Sequence, residues 1–172
     1  MKKVVLIGYM GSGKSIVAKR IASKIGLTYL ELDEIIEKNA QMSIEKIFST
    51  KGELYFRKIE NLLFSELIKS DNVSIISVGG GTPCYFDNHE LLNSENVVSI
   101  YLKASIDTLY KRLVNEKENR PLIAHLDDKN IKEFIAKHLF DRSFYYNQAT
   151  FNIDVDDKSI DEITSEIIKL LA

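Results

Sequence analysis

A glycine-rich loop between an apolar run and an amphipathic segment is the strongest constraint on the fold of this chain. Residues 8–15 read Gly-Tyr-Met-Gly-Ser-Gly-Lys-Ser, which matches the phosphate-binding pattern Gly-x-x-x-x-Gly-Lys-Ser/Thr. Residues 4–7 form a continuous run of branched apolar side chains, typical of a strand buried on both faces. The apolar residues after the loop recur at helical spacing up to Ile25, and Gly26 predicts the helix end.

The chemistry of this loop requires these residue types. Glycines allow positive φ angles and let backbone N–H groups surround phosphate oxygens, and the helix start adds the positive end of its dipole. Lys14 supplies a compact cation for the β- and γ-phosphates, and Ser15 supplies a hydroxyl for Mg²⁺. A turn without function is disfavoured, because four fixed positions and both flanking elements agree. The motif alone does not separate a kinase from a GTPase or a motor ATPase.

The rest of the chain alternates between strand and helix patterns. We predict strands at residues 4–7, 29–32, 73–78, 97–102 and 151–155. We predict helices at about 17–25, 33–40, 44–69 (with a possible break near Gly52), 106–114 and 129–146, and a last helix from a capping box at 159–162 onward. A polar loop is predicted at 116–128. This alternation predicts an α/β fold of three layers, α/β/α, with a parallel five-stranded sheet. Its ligands should bind at the carboxyl ends of the strands.

Composition narrows the class and the compartment. The 172 residues suggest one domain, and the net charge of −2 gives no general attraction to nucleic acid or anionic membranes. Cys84 is the one cysteine, so an intrachain disulfide is impossible and a structural or incidental role in a reducing compartment is expected. The apolar run at residues 4–8 is too short for a signal sequence or membrane span, so we expect a cytoplasmic protein.

The end of the predicted third strand limits the function further. It reads Val78-Gly79-Gly80-Gly81, without the acid that motor ATPases usually carry there, and the chain lacks the Asn-Lys-x-Asp sequence of regulatory GTPases. A triple glycine at a strand end lets a ligand contact bare backbone, although a flexible turn is the alternative. The phosphate loop, residues 31–33 and this glycine segment should meet at one edge of the sheet.

Five motifs together resemble the shikimate kinase family along essentially the whole chain. They are the phosphate loop, Phe56-Arg57-Lys58-Ile59-Glu60, Gly79-Gly80-Gly81, Asn119-Arg120-Pro121-Leu122 and Asp141-Arg142-Ser143-Phe144-Tyr145-Tyr146. The resemblance implies a phosphate-loop (P-loop) fold of the nucleoside-monophosphate-kinase group. It implies a helical substrate-binding part at about residues 33–61 and a mobile lid at about 112–124. The implied reaction transfers the γ-phosphoryl group of ATP to the 3-hydroxyl of shikimate, with Mg²⁺, in aromatic amino acid biosynthesis.

On the acceptor side, the resemblance assigns roles that also make physical sense. Arg57 and Arg142 would hold the shikimate carboxylate, because planar guanidinium groups bind carboxylates in a bidentate manner. Asp33 would contact the substrate hydroxyls and accept the proton of the attacking one, although it also sits where a helix N-cap belongs. The glycines 79–81, namely Gly79, Gly80 and Gly81, would present backbone N–H groups to the substrate.

On the donor side, the resemblance implies binding of ATP by Gly11, Ser12, Gly13, Lys14, Ser15, Ile16, Arg112 and Arg120. Arg120 would close over the transferring phosphoryl group and act in catalysis with Lys14 and Asp33, while closure excludes water. Arg112 would pack against adenine, and residues 154–158 would border the base on the other side. The family usually has Asp-x-Asp after the second strand, whereas this chain has Glu31-Leu32-Asp33. Glu31 is expected to support Mg²⁺ through water, with altered geometry.

Two alternatives remain open from the sequence. One is another small-molecule kinase of the same fold, such as a gluconate kinase or a nucleotide kinase. The other is a non-catalytic ATP-binding regulatory module, against which the retention of Lys14, Asp33 and Arg120 argues. ATP and shikimate are the expected partners. We expect no nucleic acid or membrane partner and a monomeric protein.

Overall fold

The computed structural model describes residues 2–172, with the side chains of Asn119 and Pro121 excepted. Met1, the first residue of the expected domain, lies outside the described part. The side chains of Asn119 and Pro121, which belong to the expected lid motif, also lie outside it. Five strands form one parallel sheet in the order β2-β3-β1-β4-β5. They are β1 (Lys3–Ile7), β2 (Thr28–Glu31), β3 (Ser74–Ser77), β4 (Val97–Lys103) and β5 (Phe151–Asp154). The predicted α/β fold with a five-stranded parallel sheet is confirmed.

The central strand β1 positions the site. All of its residues are buried, as its branched apolar run predicts, because helices cover both faces of a parallel sheet. It pairs with β3 through Val4 and Ile75 and with β4 through Lys3 and Val97. The chain after β1 therefore emerges in the middle of the sheet edge, between strands on either side. Open α/β sheets bind their ligands at such a point.

Nine α-helices lie within the described residues. They are α1 (Lys14–Ile25), α2 (Leu32–Ala40), α3 (Ile44–Lys51), α4 (Glu53–Lys69), α5 (Asn88–Leu92), α6 (Ile106–Asn115), α7 (Pro121–Ala124), α8 (Asp128–Tyr146) and α9 (Ile160–Leu171). Helix α1 packs against β2 and β3 on one side and α9 on the other, whereas α8 packs against α6. No helix of residues 2–172 is long and apolar enough to cross a membrane.

Several boundaries differ from the sequence prediction. The long helix predicted at 44–69 does break at Gly52, whose φ of 84° and ψ of 169° end α3 and precede α4. The predicted loop at 116–128 holds a 3₁₀ turn at Lys117–Asn119 and the short helix α7. A second 3₁₀ turn (Thr82–Cys84) and α5 follow β3 and carried no clear periodic signal.

The predicted N-cap role of Asp33 is wrong. Leu32 is the first residue of α2 rather than the last of β2, so Glu31 occupies the N-cap position, without a side-chain capping bond. Asp33 lies in the first turn of α2, where a carboxylate still faces the positive end of the helix dipole. The capping box predicted for the last helix is confirmed, since Ser159 and Glu162 exchange both of its hydrogen bonds.

Candidate active site

The phosphate loop joins β1 to α1 and adopts a conformation that glycine permits. Gly8 has a φ of 146°, and a Cβ atom there would lie 2.8 Å from the carbonyl oxygen of Leu102. Gly13 is the N-cap of α1, with a φ of 96°. Any larger residue at Gly8 would collide with the backbone of β4. The loop therefore folds tightly around the start of α1, where unpaired N–H groups attract anions.

Lys14 lies across this loop. Its Nζ atom donates to the carbonyl oxygens of Gly8 at 2.8 Å and Tyr9 at 2.9 Å. Burial lowers the pKa of Lys14 to about 8, while Glu31 and Asp33 act in the opposite direction. A phosphate brought beside this ammonium group would restore the preference for its charged form.

A cavity of about 530 Å³ opens at the carboxyl ends of the strands, in front of the loop. Most of the predicted site residues line it: Gly11, Gly13, Lys14, Ser15, Ile16, Glu31, Asp33, Gly79, Gly80, Arg112 and Arg120. Ser12 is buried behind the loop, and its Oγ atom has no hydrogen-bond partner among the described residues. The three segments predicted to meet at one sheet edge do so.

Asp33 is a partly buried carboxylate of this cavity. Burial raises its pKa to about 6, and the charges of Glu31 and Glu60 add to the increase, while Lys14 opposes it. An Oδ1 atom of Asp33 would lie 3.5 Å from a Cβ placed on Gly79, so the carboxylate stands beside the glycine segment. A carboxylate with a pKa near neutrality is suited to accept a proton from a hydroxyl group.

Arg57 is held rigidly on α4. Its Nη1 atom donates to Glu60 Oε1 at 2.8 Å, and the other oxygen of this fully buried Glu60 accepts from Thr82 Oγ1 at 2.7 Å. The ring centroid of Tyr85 lies 3.9 Å from the guanidinium carbon of Arg57. Its Nε atom makes no hydrogen bond among the described residues, but it lies 3.6 Å from Glu53 Oε1, so a second carboxylate pairs with this buried cation.

Arg142, on α8, meets the same glycine segment from the opposite direction. A Cβ atom on Gly80 would lie 3.2 Å from its Nη1 atom, and one on Gly81 would lie 2.6 Å from Nη2 of Arg57. Only the absence of side chains at these glycines lets the two guanidinium groups approach the backbone so closely. Two cations thus converge on the glycine segment, of which Gly79 and Gly80 line the cavity, whereas Gly81 and the two arginines themselves are not among its lining residues.

The other two arginines predicted to belong to the site, Arg112 and Arg120, line the cavity. Arg112 of α6 donates to the carbonyl oxygen of Gly11 at 2.9 Å, so it braces the phosphate loop. Arg120 forms an exposed ion pair with Glu116, whose oxygen lies 2.9 Å from its Nη2 atom. Lys158, from the segment predicted to border the base, lies on the same wall of the cavity.

Comparison with known proteins identifies the family. Residues 10–172 match the shikimate kinase family. The chain belongs to this family. It is 55% identical to the shikimate kinase of Flavobacterium johnsoniae over 172 residues, which covers 100% of both chains.

Solved structures of shikimate kinases agree with the fold. The Bacteroides thetaiotaomicron shikimate kinase superposes with a TM-score of 0.90 at 31% identity, covering 99% of this chain and 98% of that chain. The Acinetobacter baumannii shikimate kinase, determined in complex with shikimate, gives a TM-score of 0.87 at 27% identity, covering 99% and 93%. The resemblance to the shikimate kinase family is confirmed.

The sequence interpretation of this family member missed four residues around the site. Glu60 belongs to the motif at residues 56–60 but was assigned no role. An acidic residue three positions after Arg57 on a helix nevertheless predicts an ion pair between them. Thr82 completes that pair. Tyr146 donates to the carbonyl oxygen of Gly80 at 2.5 Å, and Tyr9 lies under Arg142. Neither contact has a signal in a single sequence.

The residues that face the phosphate loop fit a Mg²⁺ ion of the kind that shikimate kinases are expected to use. The described residues contain no group of three or more His, Cys, Asp or Glu that would hold a metal alone. Ser15 Oγ lies 3.4 Å from Ser77 Oγ, and the carboxylate of Glu31 accepts a hydrogen bond from Tyr29. Mg²⁺ needs only one or two such oxygen groups, because waters and substrate phosphates complete its shell.

Proposed function

We propose that this chain transfers the terminal phosphoryl group of ATP to the 3-hydroxyl of shikimate, giving shikimate 3-phosphate and ADP. One observation carries the proposal: Arg57 and Arg142 converge on the triple glycine, and Gly79 and Gly80 of that segment line the cavity in front of the phosphate loop. A carboxylate bound by these arginines would lie beside the glycine segment, and a phosphate bound by the loop would lie beside Lys14, with Asp33 next to Gly79. Membership of the shikimate kinase family supports the same reaction.

On the acceptor side, Arg57 and Arg142 bind the carboxylate, and the backbone of Gly79, Gly80 and Gly81 lets the ring lie close to β3. Asp33 orients the attacking hydroxyl and accepts its proton, for which its raised pKa of about 6 is suited. Since the arginines are fixed by packing, the acceptor is held in one orientation. Such positioning supplies much of the barrier reduction in phosphoryl transfer.

On the donor side, the loop from Gly11 to Ile16 surrounds the phosphates. Lys14 and Arg120 stabilise the charge that develops on the transferring group. Mg²⁺, when bound, neutralises charge on the β- and γ-phosphates, and Ser15 and, through water, Glu31 are the residues that would hold it. Arg112 and residues 154–158 border the base.

The proposal also covers the organisation of the chain. Residues 33–61 form the substrate-binding part, and residues 112–124 form a lid that carries Arg120 over the phosphates. The proposal includes action as a monomer. The single free thiol of Cys84 supports a reducing, cytoplasmic compartment.

An assay of ADP release tests the reaction. Purified protein with MgATP should release ADP rapidly with shikimate and slowly with gluconate, nucleoside monophosphates or no acceptor. Stimulation by gluconate or a nucleotide instead would assign the chain to one of those kinase classes. No stimulation by shikimate would overturn the proposal. If wild type and Asp33→Asn bound ATP but turned over equally slowly, a regulatory ATP-binding module would be favoured.

A further inference from the structure

Tyr9 of the phosphate loop contacts both Lys14 and Arg142. Its carbonyl oxygen accepts a hydrogen bond from Lys14 Nζ at 2.9 Å. Its ring centroid lies 5.5 Å from the guanidinium carbon of Arg142. Its hydroxyl lies 3.0 Å from Nδ1 of His138, on α8. Only 1% of Tyr9 is exposed, so these contacts define its environment.

The contact between Tyr9 and His138 joins two neutral groups near neutral pH. Burial raises the pKa of Tyr9 to about 12, which keeps the hydroxyl protonated. Burial, together with the charge of Arg142, lowers the pKa of His138, although Asp141 opposes this. With the imidazole proton on Nε2, Nδ1 is free to accept from the Tyr9 hydroxyl. Phe134 packs on the imidazole at a centroid distance of 4.2 Å and restricts its position.

His138 and Arg142 are four residues apart on α8, so they lie on one face of the helix, one turn from each other. The imidazole holds the hydroxyl end of the Tyr9 ring, and the guanidinium group rests near the ring itself. A cation is attracted to the face of an aromatic ring, so the ring's orientation affects where the guanidinium sits. The three side chains therefore form a single support, His138–Tyr9–Arg142.

We propose that His138 is a positioning residue for the acceptor: by fixing the Tyr9 ring, it orients the guanidinium of Arg142 for the substrate carboxylate. This inference rests on the proposed role of Arg142 in binding the acceptor. Lys14 contacts the backbone of Tyr9, not its hydroxyl, so loss of the hydroxyl contact should affect the acceptor and spare ATP. Simple packing of Tyr9 in the core would instead affect stability or both substrates alike.

Steady-state kinetics with both substrates, together with thermal unfolding, test the inference. Tyr9→Phe retains the ring and removes the hydroxyl, and His138→Phe removes the acceptor nitrogen. Each should raise the KM for shikimate about three- to ten-fold, the scale of one net hydrogen bond, while kcat and the KM for ATP change less than about two-fold. The double variant should be no worse than either single variant, because all three remove the same bond.

Two further variants separate positioning from packing. His138→Asn places an amide oxygen near the position of Nδ1 and should return the KM for shikimate to within about two-fold of wild type. His89→Phe is the matched control, since that imidazole packs against Tyr145 instead of Tyr9, and it should leave the KM for shikimate unchanged. If His138→Phe fails to fold, Tyr9→Phe reports on the same bond.

Three results would overturn the inference: equal increases in both KM values, additive losses in the double variant, or an Asn variant as impaired as the Phe variant. Arg142→Ala distinguishes this failure from that of the proposed function. If Arg142→Ala raises the KM for shikimate but His138→Phe and Tyr9→Phe do not, only the inference fails. If Arg142→Ala leaves that KM unchanged, the role of Arg142 fails and the inference with it.

Discussion

At the scale of single residues, Arg57 gives the sharpest prediction. Arg57 is 9% exposed and paired with the buried carboxylate of Glu60, so Arg57→Ala would remove the proposed acceptor contact and leave a buried charge unpaired. We expect shikimate binding to weaken by about 2–5 kcal/mol, the scale for a broken buried charge pair, with ATP affinity nearly unchanged. Isothermal titration with each ligand measures both effects.

Lys58→Ala is the matched control for Arg57, because Lys58 is the exposed neighbour on the same helix. It should leave both affinities unchanged. An equal loss of shikimate and ATP affinity in Arg57→Ala would contradict the assignment of Arg57 to the acceptor. Arg142→Ala should behave as Arg57→Ala does, since both guanidinium groups approach the same glycine segment.

Asp33 and Lys14 together predict a pH optimum. Asp33, with its pKa raised to about 6, accepts a proton only when ionised, so kcat/KM should fall as pH drops below about 6. Lys14, with its pKa lowered to about 8, binds phosphate best when charged, so kcat/KM for ATP should fall as pH rises above about 8. A profile of kcat/KM between about pH 5 and pH 9 should therefore be bell-shaped.

Asp33→Asn isolates the acidic side of this profile. It should lower kcat about 100-fold or more, the usual range for loss of a general base, and remove the decline below about pH 6. Glu34→Gln changes an adjacent carboxylate on α2 and should leave the profile intact. A wild-type profile that stays flat down to about pH 5 would refute the role of Asp33 as a base.

The types of the site residues are predictable from the sequence, but several of their partners are not. Short sequence motifs contain Lys14, Asp33 and Arg57, and the residue spacing within these motifs reflects the local backbone geometry. The bond between Tyr9 and His138 joins residues 129 positions apart, and only the folded sheet brings them together. The misplaced N-cap at Asp33 has a local cause, because Leu32 is equally suited to the end of a strand and the start of a helix.

At the scale of elements, the segment between α6 and α8 governs the proposed chemistry. Arg120 pairs with Glu116, but their side chains are 39% and 50% exposed, and such pairs contribute only about 0–1 kcal/mol. Arg120 would therefore exchange this partner for a phosphate at little cost. The sequence predicts a polar loop here, whereas the chain forms a 3₁₀ turn and α7, too short to show a helical period.

Arg120→Ala tests the function of this segment. Because its guanidinium is proposed to act on the transferring group, the variant should lose about 100-fold or more in kcat, with a smaller change in the KM for shikimate. Glu118→Ala, an exposed neighbour in the same segment, should retain wild-type kcat. A normal kcat in Arg120→Ala would remove the catalytic role and leave Arg120 as a surface ion pair.

At the scale of the whole molecule, the fold follows from two periodicities. The run at β1 and the helical spacing of α1 and α9 identify a buried parallel sheet with covering helices, and the structure has both. Short elements such as α5, with five residues, are decided by tertiary packing against α4 and β4, so the sequence gives no independent signal. The sheet edge then brings distant motifs into one cavity.

Because the proposed donor and acceptor sites use different residues, ligand-induced stabilisation should separate them. A ligand that binds only the folded protein adds about 2.7 kcal/mol at a concentration of 100 times its Kd, which raises Tm. Shikimate alone and MgATP alone should each raise Tm of the wild type. Chelation of Mg²⁺ with EDTA should reduce the shift from ATP and leave the shift from shikimate intact, since the acceptor arginines need no metal.

Variants test which of the two proposed sites produces each shift in Tm. Arg142→Ala should lose the shift from shikimate and keep the shift from MgATP. Lys14→Ala should lose the shift from MgATP and keep the shift from shikimate. Among the described residues, the ammonium group of Lys14 donates hydrogen bonds only to the phosphate loop. A shikimate shift that requires Mg²⁺, or that disappears in Lys14→Ala, would mean that the acceptor site forms only after the donor site is filled. The preformed arrangement of Arg57 over Gly81 argues for independent binding.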